Sequence, residues 1–335
     1  MLSKEINISN TLIGNEHKPF IIAEAGSNFN QNIDIAKEMI DVALEARCNA
    51  IKFQLFRAEY LYPDRGEMYD LFKSIELNPD WVSILSKYCQ KKNIIFLASP
   101  FDSKSVDVLE DSEIPAYKVA SSETTNFKLL RYMALKNKPL IISTGMCDII
   151  DVQEAIFLCE SHNNNNLSLL QCGAMYPIPS NQINLNVIET YKKLFDIPIG
   201  FSDHTMNNVA AITSIGLGSC IFEKHFTLSR KLDGPDHSFA LEPNELNSYV
   251  KDIHEAHISL GTSKKEMLKS EREQGRRNGL YASRTIEKNE VFSEENLKIM
   301  RPSKGISNRY KDHVMGLKSK NRIEKDEPIN WELIL

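Results

Sequence analysis

The sequence predicts an α/β protein, a (β/α)8 TIM barrel followed by a small β-rich domain, and three observations carry that prediction. Eight short β-rich runs recur through the first three quarters of the chain, and stretches with helical spacing lie between most of them. Nearly every run begins apolar and finishes in polar or charged residues, the pattern expected where barrel strands point their C-terminal ends at a site. Beyond Leu260 the alternation stops and shorter strand-like pieces take over.

The runs are FIIAEAG from Phe20, AIKFQLF from Ala50, IIFLASPF from Ile94, AYKVASS from Ala116, PLIISTGM from Pro139, LSLLQCGA from Leu167, IPIGFSDH from Ile197 and SCIFEKHF from Ser219. Their nearly continuous apolar character fits strands covered on both faces. IDIAKEMIDVALEA from Ile33 and NNVAAITSIGLG from Asn207 have helical spacing, with the GLG at Gly216–Gly218 read as a helix end. NNNN at Asn163–Asn166 reads as a polar loop. The barrel is assigned to residues 1–262, a charged helix or linker to 263–278, and the small domain, with LYASRTI, VFSEENLKIMRP and NRIEKDEPI, to 279–335. Lys and Arg outnumber Asp and Glu from Thr262 onward, and the reverse holds before it.

A net charge of −5 gives no basic excess for nucleic acid. The six cysteines form no C-x-x-C pair, so a reducing compartment is expected and the thiols read as small buried apolar groups. The N-terminus has no apolar signal-type run and no stretch is apolar enough to span a membrane, so a cytoplasmic protein is expected.

The strand ends bring candidate chemistry to one mouth. His204 and His225 finish neighbouring strands, and two imidazoles without nearby thiolates suit Mn2+, Zn2+ or a similar ion whose remaining positions take water and substrate oxygens. Lys52 and Lys118 suit a phosphate or carboxylate, with Ser99, Ser121, Ser143 and Ser202 as hydroxyl donors. No P-loop or G-x-G-x-x-G turn is present, which favours a small phospho-acid over a nucleotide. A Schiff base is the rival use of Lys118, and the histidine pair weighs against it. Glu24, Glu123 and Glu223 bring carboxylates to the same region, at least one of them a candidate general acid or base, with Glu223 alternatively orienting a metal ligand. His237, in the GPDHS loop, fits either a structural or a functional role.

Taken together, IIAEAGSNFN, IKFQ, SPF, YKVASSE, STGM, MYP, GFSDHT, EKHFTL, GPDHS with ALEP, and the C-terminal LYASRTIEKNEVFSEENLKIMRP closely resemble the sialic acid synthase family. Its members condense phosphoenolpyruvate with an N-acylated mannose-type sugar to make a nonulosonic acid, and their C-terminal part is an antifreeze-like SAF domain. The resemblance implies that His204 and His225 hold a divalent ion, Mn2+ foremost with Mg2+ or Co2+ as alternatives. It assigns Lys52, Lys118, Ser121, Ser143 and Ser202 to phosphoenolpyruvate, and Glu24, Gln54, Tyr176 and Asp236 to the open-chain sugar. Glu123 and Glu223 are assigned to proton transfer or the attacking water. It also places Arg301 on the acyl group of a sugar in the other subunit, which implies a domain-swapped homodimer.

Two departures stand out: Asn28-Phe29-Asn30-Gln31 where the family commonly has N-H-N-G, and Gly173-Ala174 where a polar residue often precedes M-Y-P. Both are expected to remove polar contacts near the substrates. Other readings are a different phosphoenolpyruvate-dependent sugar-acid synthase, a metal aldolase on the same barrel, or a non-catalytic carbohydrate-binding relic.

Overall fold

The computed structural model describes residues 2–335, which divide into two compact units, 2–261 and 262–335. The first opens with a hairpin of β1 (Ile6–Ile8) and β2 (Thr11–Ile13). Eight parallel strands follow: β3 (Phe20–Gly26), β4 (Ala50–Leu55), β5 (Ile95–Pro100), β6 (Tyr117–Val119), β7 (Leu140–Ser143), β8 (Leu167–Cys172), β9 (Ile199–Asp203) and β10 (Ile221–His225). Their order, β5-β4-β3-β10-β9-β8-β7-β6, is a barrel hydrogen-bonded everywhere except between β5 and β6.

All eight expected runs are strands, and each alternates between two environments with period two. Ile21, Phe53, Phe96, Val119, Ile142, Leu169 and Phe222 face the helix layer, in one continuous core with Met39, Leu85 and Tyr249. Phe20, Ile22, Ala50, Leu97, Ile141, Leu170 and Ile221 point into the barrel, where they meet Ile6, Ile8 and Ile13 of the hairpin. The hairpin therefore supplies three fully buried side chains to the interior, each worth roughly 1.5–3 kcal/mol of apolar burial. Sequence reading missed it because two three-residue strands give too short a pattern to stand out.

Local signals fix the helices. Asn32 accepts hydrogen bonds from the backbone of Asp34 and Ile35 to start helix Ile33–Glu45, whose buried Ala36, Met39, Ile40 and Ala43 recur at helical spacing. Helix Val209–Leu217 ends at Gly218, as the GLG reading expected. The 163–166 loop is more than polar filler, since Asn164 is buried and donates to the carbonyls of Ala134 and Lys138.

The second unit contains helix Lys269–Gln274 and one antiparallel ladder, β11 (Gly279–Ala282) with β12 (Leu297–Met300). Isolated bridges such as Ile286–Ile323 and Val291–Lys318 join the remaining pieces around Leu280, Phe292, Val314 and Ile329. No helix of the described residues is long and apolar enough to cross a membrane.

Candidate active site

Strand register builds the site. Inside the barrel the lower positions are apolar, and the next inward positions toward the strand C-termini are Glu24, Lys52, Ser99, Lys118, Ser143, Cys172, Ser202 and Glu223. Parallel pairing sets Glu24 beside Lys52, Gln54 beside Ser99, Ser202 beside Glu223, and His225 beside Glu24. These side chains, with Ser121, Tyr176 and His204, line one small cavity at the barrel mouth. A larger cavity opens at the opposite, N-terminal end beside the Ser9–Thr11 turn, and it gathers no imidazoles or paired lysines.

Glu223 is the hub of the cavity floor. Its carboxylate lies 3.5 Å from Lys118 Nζ, 3.7 Å from Lys52 Nζ, and accepts the Ser202 hydroxyl at 3.0 Å. Lys52 also meets Glu24 at 2.7 Å and donates to Ser99 at 3.1 Å, while Lys118 donates to Ser143 at 2.6 Å. Burial raises the Glu24 carboxyl to about 7, with Glu223 adding to the rise and Lys52 opposing it. Burial pushes Glu223 the same way, but the two ammonium groups outweigh it and hold that carboxyl below the usual range. Two neighbouring carboxyls thus prefer different protonation states, the arrangement that separates an acid from a permanent anion. Accordingly, an infrared carboxylic-acid C=O band is expected to fade as the pH rises through about 7, and to be absent in Glu24→Gln.

The histidines stand one inward position beyond Ser202 and Glu223 on the same two neighbouring strand ends, with ring centroids 5.5 Å apart. His204 Nδ1 donates to the carbonyl of Gly173 at 2.7 Å, so its neutral form carries the free lone pair on Nε2. His225 Nδ1 is buried without a partner, and burial followed by the neighbouring His204 holds its imidazole well below the ordinary value. Burial opposes protonation of His204, but Cys172 and the Gly173 carbonyl raise its imidazole above the ordinary value, so a divalent ion there would displace a proton from Nε2. With that proton displaced, the two imidazoles are a fitting donor set for a divalent ion that draws its other ligands from water and substrate. No group of three or more His, Cys, Asp or Glu with metal-holding geometry occurs among the described residues.

The remaining candidates are distributed unevenly. Tyr176 lies on the loop after β8 rather than at a strand end, half-exposed, with its ring 4.1 Å from that of His204 and 5.7 Å from that of His225. Ser121 sits on the short turn after β6 and accepts the Gly145 N–H at 3.0 Å. Asp236 is near Ser27, 3.4 Å from its hydroxyl. Gly26 has φ +53°, and a Cβ there would come within 2.8 Å of the Asp236 carboxylate, so this turn needs glycine twice over. Glu123 is not brought to the cavity wall; it is buried at the end of the Ser121–Glu123 turn and accepts the Asn126 amide at 2.8 Å. Arg301 belongs to the second unit, where its Nε donates to Asn278 at 3.0 Å. His237 proves structural in its contacts, bonded to Thr227 and Asn30.

Three expectations need correction. Phe29 removes no contact from the mouth, because its ring is fully buried against Phe53 on the helix side of the sheet. Gly173 is likewise not a vacated polar position: a Cβ there would meet Ile178 Cδ1 at 2.1 Å, and its carbonyl orients His204. Cys172, taken as an inert thiol, lines the cavity with Sγ 3.7 Å from His204 Nδ1. Although burial opposes ionisation, His204 and Lys118 draw its thiol below the ordinary value. The period-two sequence Ser168, Leu170, Cys172 carried that signal, since all three share the inward face.

Both units of the chain match known proteins. Residues 39–265 match the NeuB family and residues 277–335 the SAF domain. The chain is 38% identical to an uncharacterized protein of Methanocaldococcus jannaschii, covering 99% of each. It is 34% identical to the N,N'-diacetyllegionaminic acid synthase of Campylobacter jejuni, covering 92% of this chain and 98% of that one. The N-acetylneuraminic acid (sialic acid) synthetase of Leptospira borgpetersenii, solved with citrate, superposes with a TM-score of 0.77 at 34% identity, over 82% of this chain and 95% of that one. A buried lysine pair, a buried histidine pair and these matches together place the chain in the sialic acid synthase (NeuB) family, as an enzyme of that type.

Proposed function

We propose that the enzyme condenses phosphoenolpyruvate with an N-acylated mannose-type sugar and water, giving a nonulosonic acid and phosphate with cleavage of the phosphoenolpyruvate C–O bond. The observation that carries this reading is the cavity itself, where Lys52 and Lys118 with their serine partners lie beside His204 and His225. With Glu24 protonated, the two lysines and Glu223 leave one net positive charge on the floor, which favours a small polyanion. The names of the relatives, synthases of legionaminic and N-acetylneuraminic acids, supply the product class.

The residues divide the work by charge. Lys52, Lys118, Ser99, Ser143 and Ser202 hold the phosphate and carboxylate, placing the enol carbon toward the histidine wall. A divalent ion held by His204 and His225, Mn2+ foremost, supplies Lewis acidity to the sugar aldehyde when bound. The enol C3 forms a bond to the aldehyde carbon, and Glu24 is the carboxyl able to give a proton to the sugar oxygen near neutrality. Positive charge then develops at C2, where the ionised Glu223 stabilises it. Water adds at C2, and the C2–O bond breaks to release phosphate. Gln54, Tyr176 and Asp236 are assigned to the sugar, and Glu123, which turns away to Asn126, is left without a part in this step.

The same reading makes the enzyme a domain-swapped homodimer, in which Arg301 of one chain reaches the sugar's acyl group in the other. Six unpaired cysteines suit a cytoplasmic enzyme.

Phosphate release from phosphoenolpyruvate tests the proposal, assayed with Mn2+ and a panel of N-acetylmannosamine, its 6-phosphate and 2,4-diacetamido-trideoxy hexoses. Release is expected with one of these sugars, and a chelator should abolish it. Phosphoenolpyruvate labelled with 18O at the bridging position should deliver the label to phosphate. Release with no sugar of the panel would remove the reading, and retention of label in the sugar acid would remove C–O cleavage.

A further inference from the structure

Directly behind the two histidines, on the outer face of the sheet, lies a buried ion pair that plays no part in the chemistry above. Lys224 pairs with Asp203 in the β9–β10 register, with Nζ 3.1 Å from the carboxylate and both side chains at most 2% exposed. Because side chains alternate along a strand, Asp203 and Lys224 point toward the helices while the next residues, His204 and His225, point into the barrel. The pair is tied to the backbone around His204. Asp203 accepts the Thr205 N–H at 2.8 Å and its hydroxyl at 2.7 Å, and Lys224 donates to the Thr205 carbonyl. The Lys224 ammonium also lies 5.5 Å from the centre of the Tyr249 ring.

This position is costly for charge, since the surrounding layer is apolar and a well-packed apolar pair is often as stable as a buried ion pair. What an apolar pair lacks is direction: it would not hold the backbone on either side of His204, nor lock the stagger between the two strand ends. We infer that Asp203 and Lys224 are positioning residues, which fix the separation and orientation of the His204 and His225 rings so that the two imidazoles converge on one ion. The inference rests on the metal reading of that pair.

The test compares wild type with the apolar double variant Asp203→Leu/Lys224→Met and with Lys224→Arg, which keeps charge but changes reach. Three readouts are needed: thermal unfolding, Mn2+ binding followed by the EPR signal of free Mn2+, and metal-free histidine-ring NMR. The double variant is expected to unfold within about 5 °C of wild type. It should bind Mn2+ 10- to 100-fold more weakly, with shifted or broadened His204 and His225 ring signals. If the double variant does not fold, Lys224→Arg should still show displaced ring signals and weakened binding. Wild-type ring signals and wild-type Mn2+ affinity in a folded variant would overturn the inference. Absence of Mn2+ binding by wild type would instead overturn the metal reading, and the metal-free ring signals would still decide whether the pair positions the histidines.

Discussion

Glu223→Ala is expected to abolish phosphate release and to lower folding stability by about 3–5 kcal/mol, the cost of leaving buried charge without its partner. The wild-type carboxylate lies near two fully buried ammonium groups and accepts the Ser202 hydroxyl, so truncation exposes Lys52 and Lys118 to each other at low polarity. Glu24 remains 2.7 Å from Lys52, and without Glu223 it loses a neighbour that had raised its carboxyl, so it can take over only part of the counter-ion role. Glu223→Gln keeps the shape and the Ser202 contact while losing the charge, so it should recover part of the stability and none of the activity. Phosphate ions should raise the melting temperature of Glu223→Ala more than that of wild type, because a bound anion replaces the lost carboxylate. Urea denaturation with the phosphate-release assay measures both effects, and a variant as stable as wild type would show that the lysines do not depend on Glu223.

The second large effect is expected at His225. His225→Ala should reduce phosphate release by about three orders of magnitude, several kcal/mol of lost polarisation at the aldehyde. Folding should be nearly unchanged, because the ring makes no hydrogen bond through its buried Nδ1 and its neighbours Tyr176 and Phe239 can relax into the space. Mn2+ titration of the purified variant should show weakened binding in parallel with activity. Full activity in a folded His225→Ala enzyme would contradict the proposed site.

Much of this was readable before any coordinates. The strands were legible because near-continuous apolar runs suit a sheet covered on both faces, and the site was legible because the polar residues gather at their C-terminal ends. Lys52, Lys118, Ser99, Ser143, Ser202, His204, Glu223 and His225 reach one cavity wall for that reason. Elsewhere proximity in sequence misled. Glu123 stands two residues after Ser121 but turns to Asn126, and Phe29 stands beside the first strand's polar end but packs behind it. Cys172 looked inert because a lone thiol has no pattern until its parity along β8 is counted.

By itself the sequence determined the strand-and-helix alternation, the identity of the charged and imidazole groups, and the family, since each is a property of local pattern or of residues in order. Only the tertiary structure decided which of them touch. Register set Glu223 between two lysines and made its ionisation differ from that of Glu24, and it set a buried Asp203–Lys224 pair behind the histidines. The physical reason is that charge interactions and desolvation depend on distance and burial, quantities a chain acquires only when strands distant in sequence close around one axis.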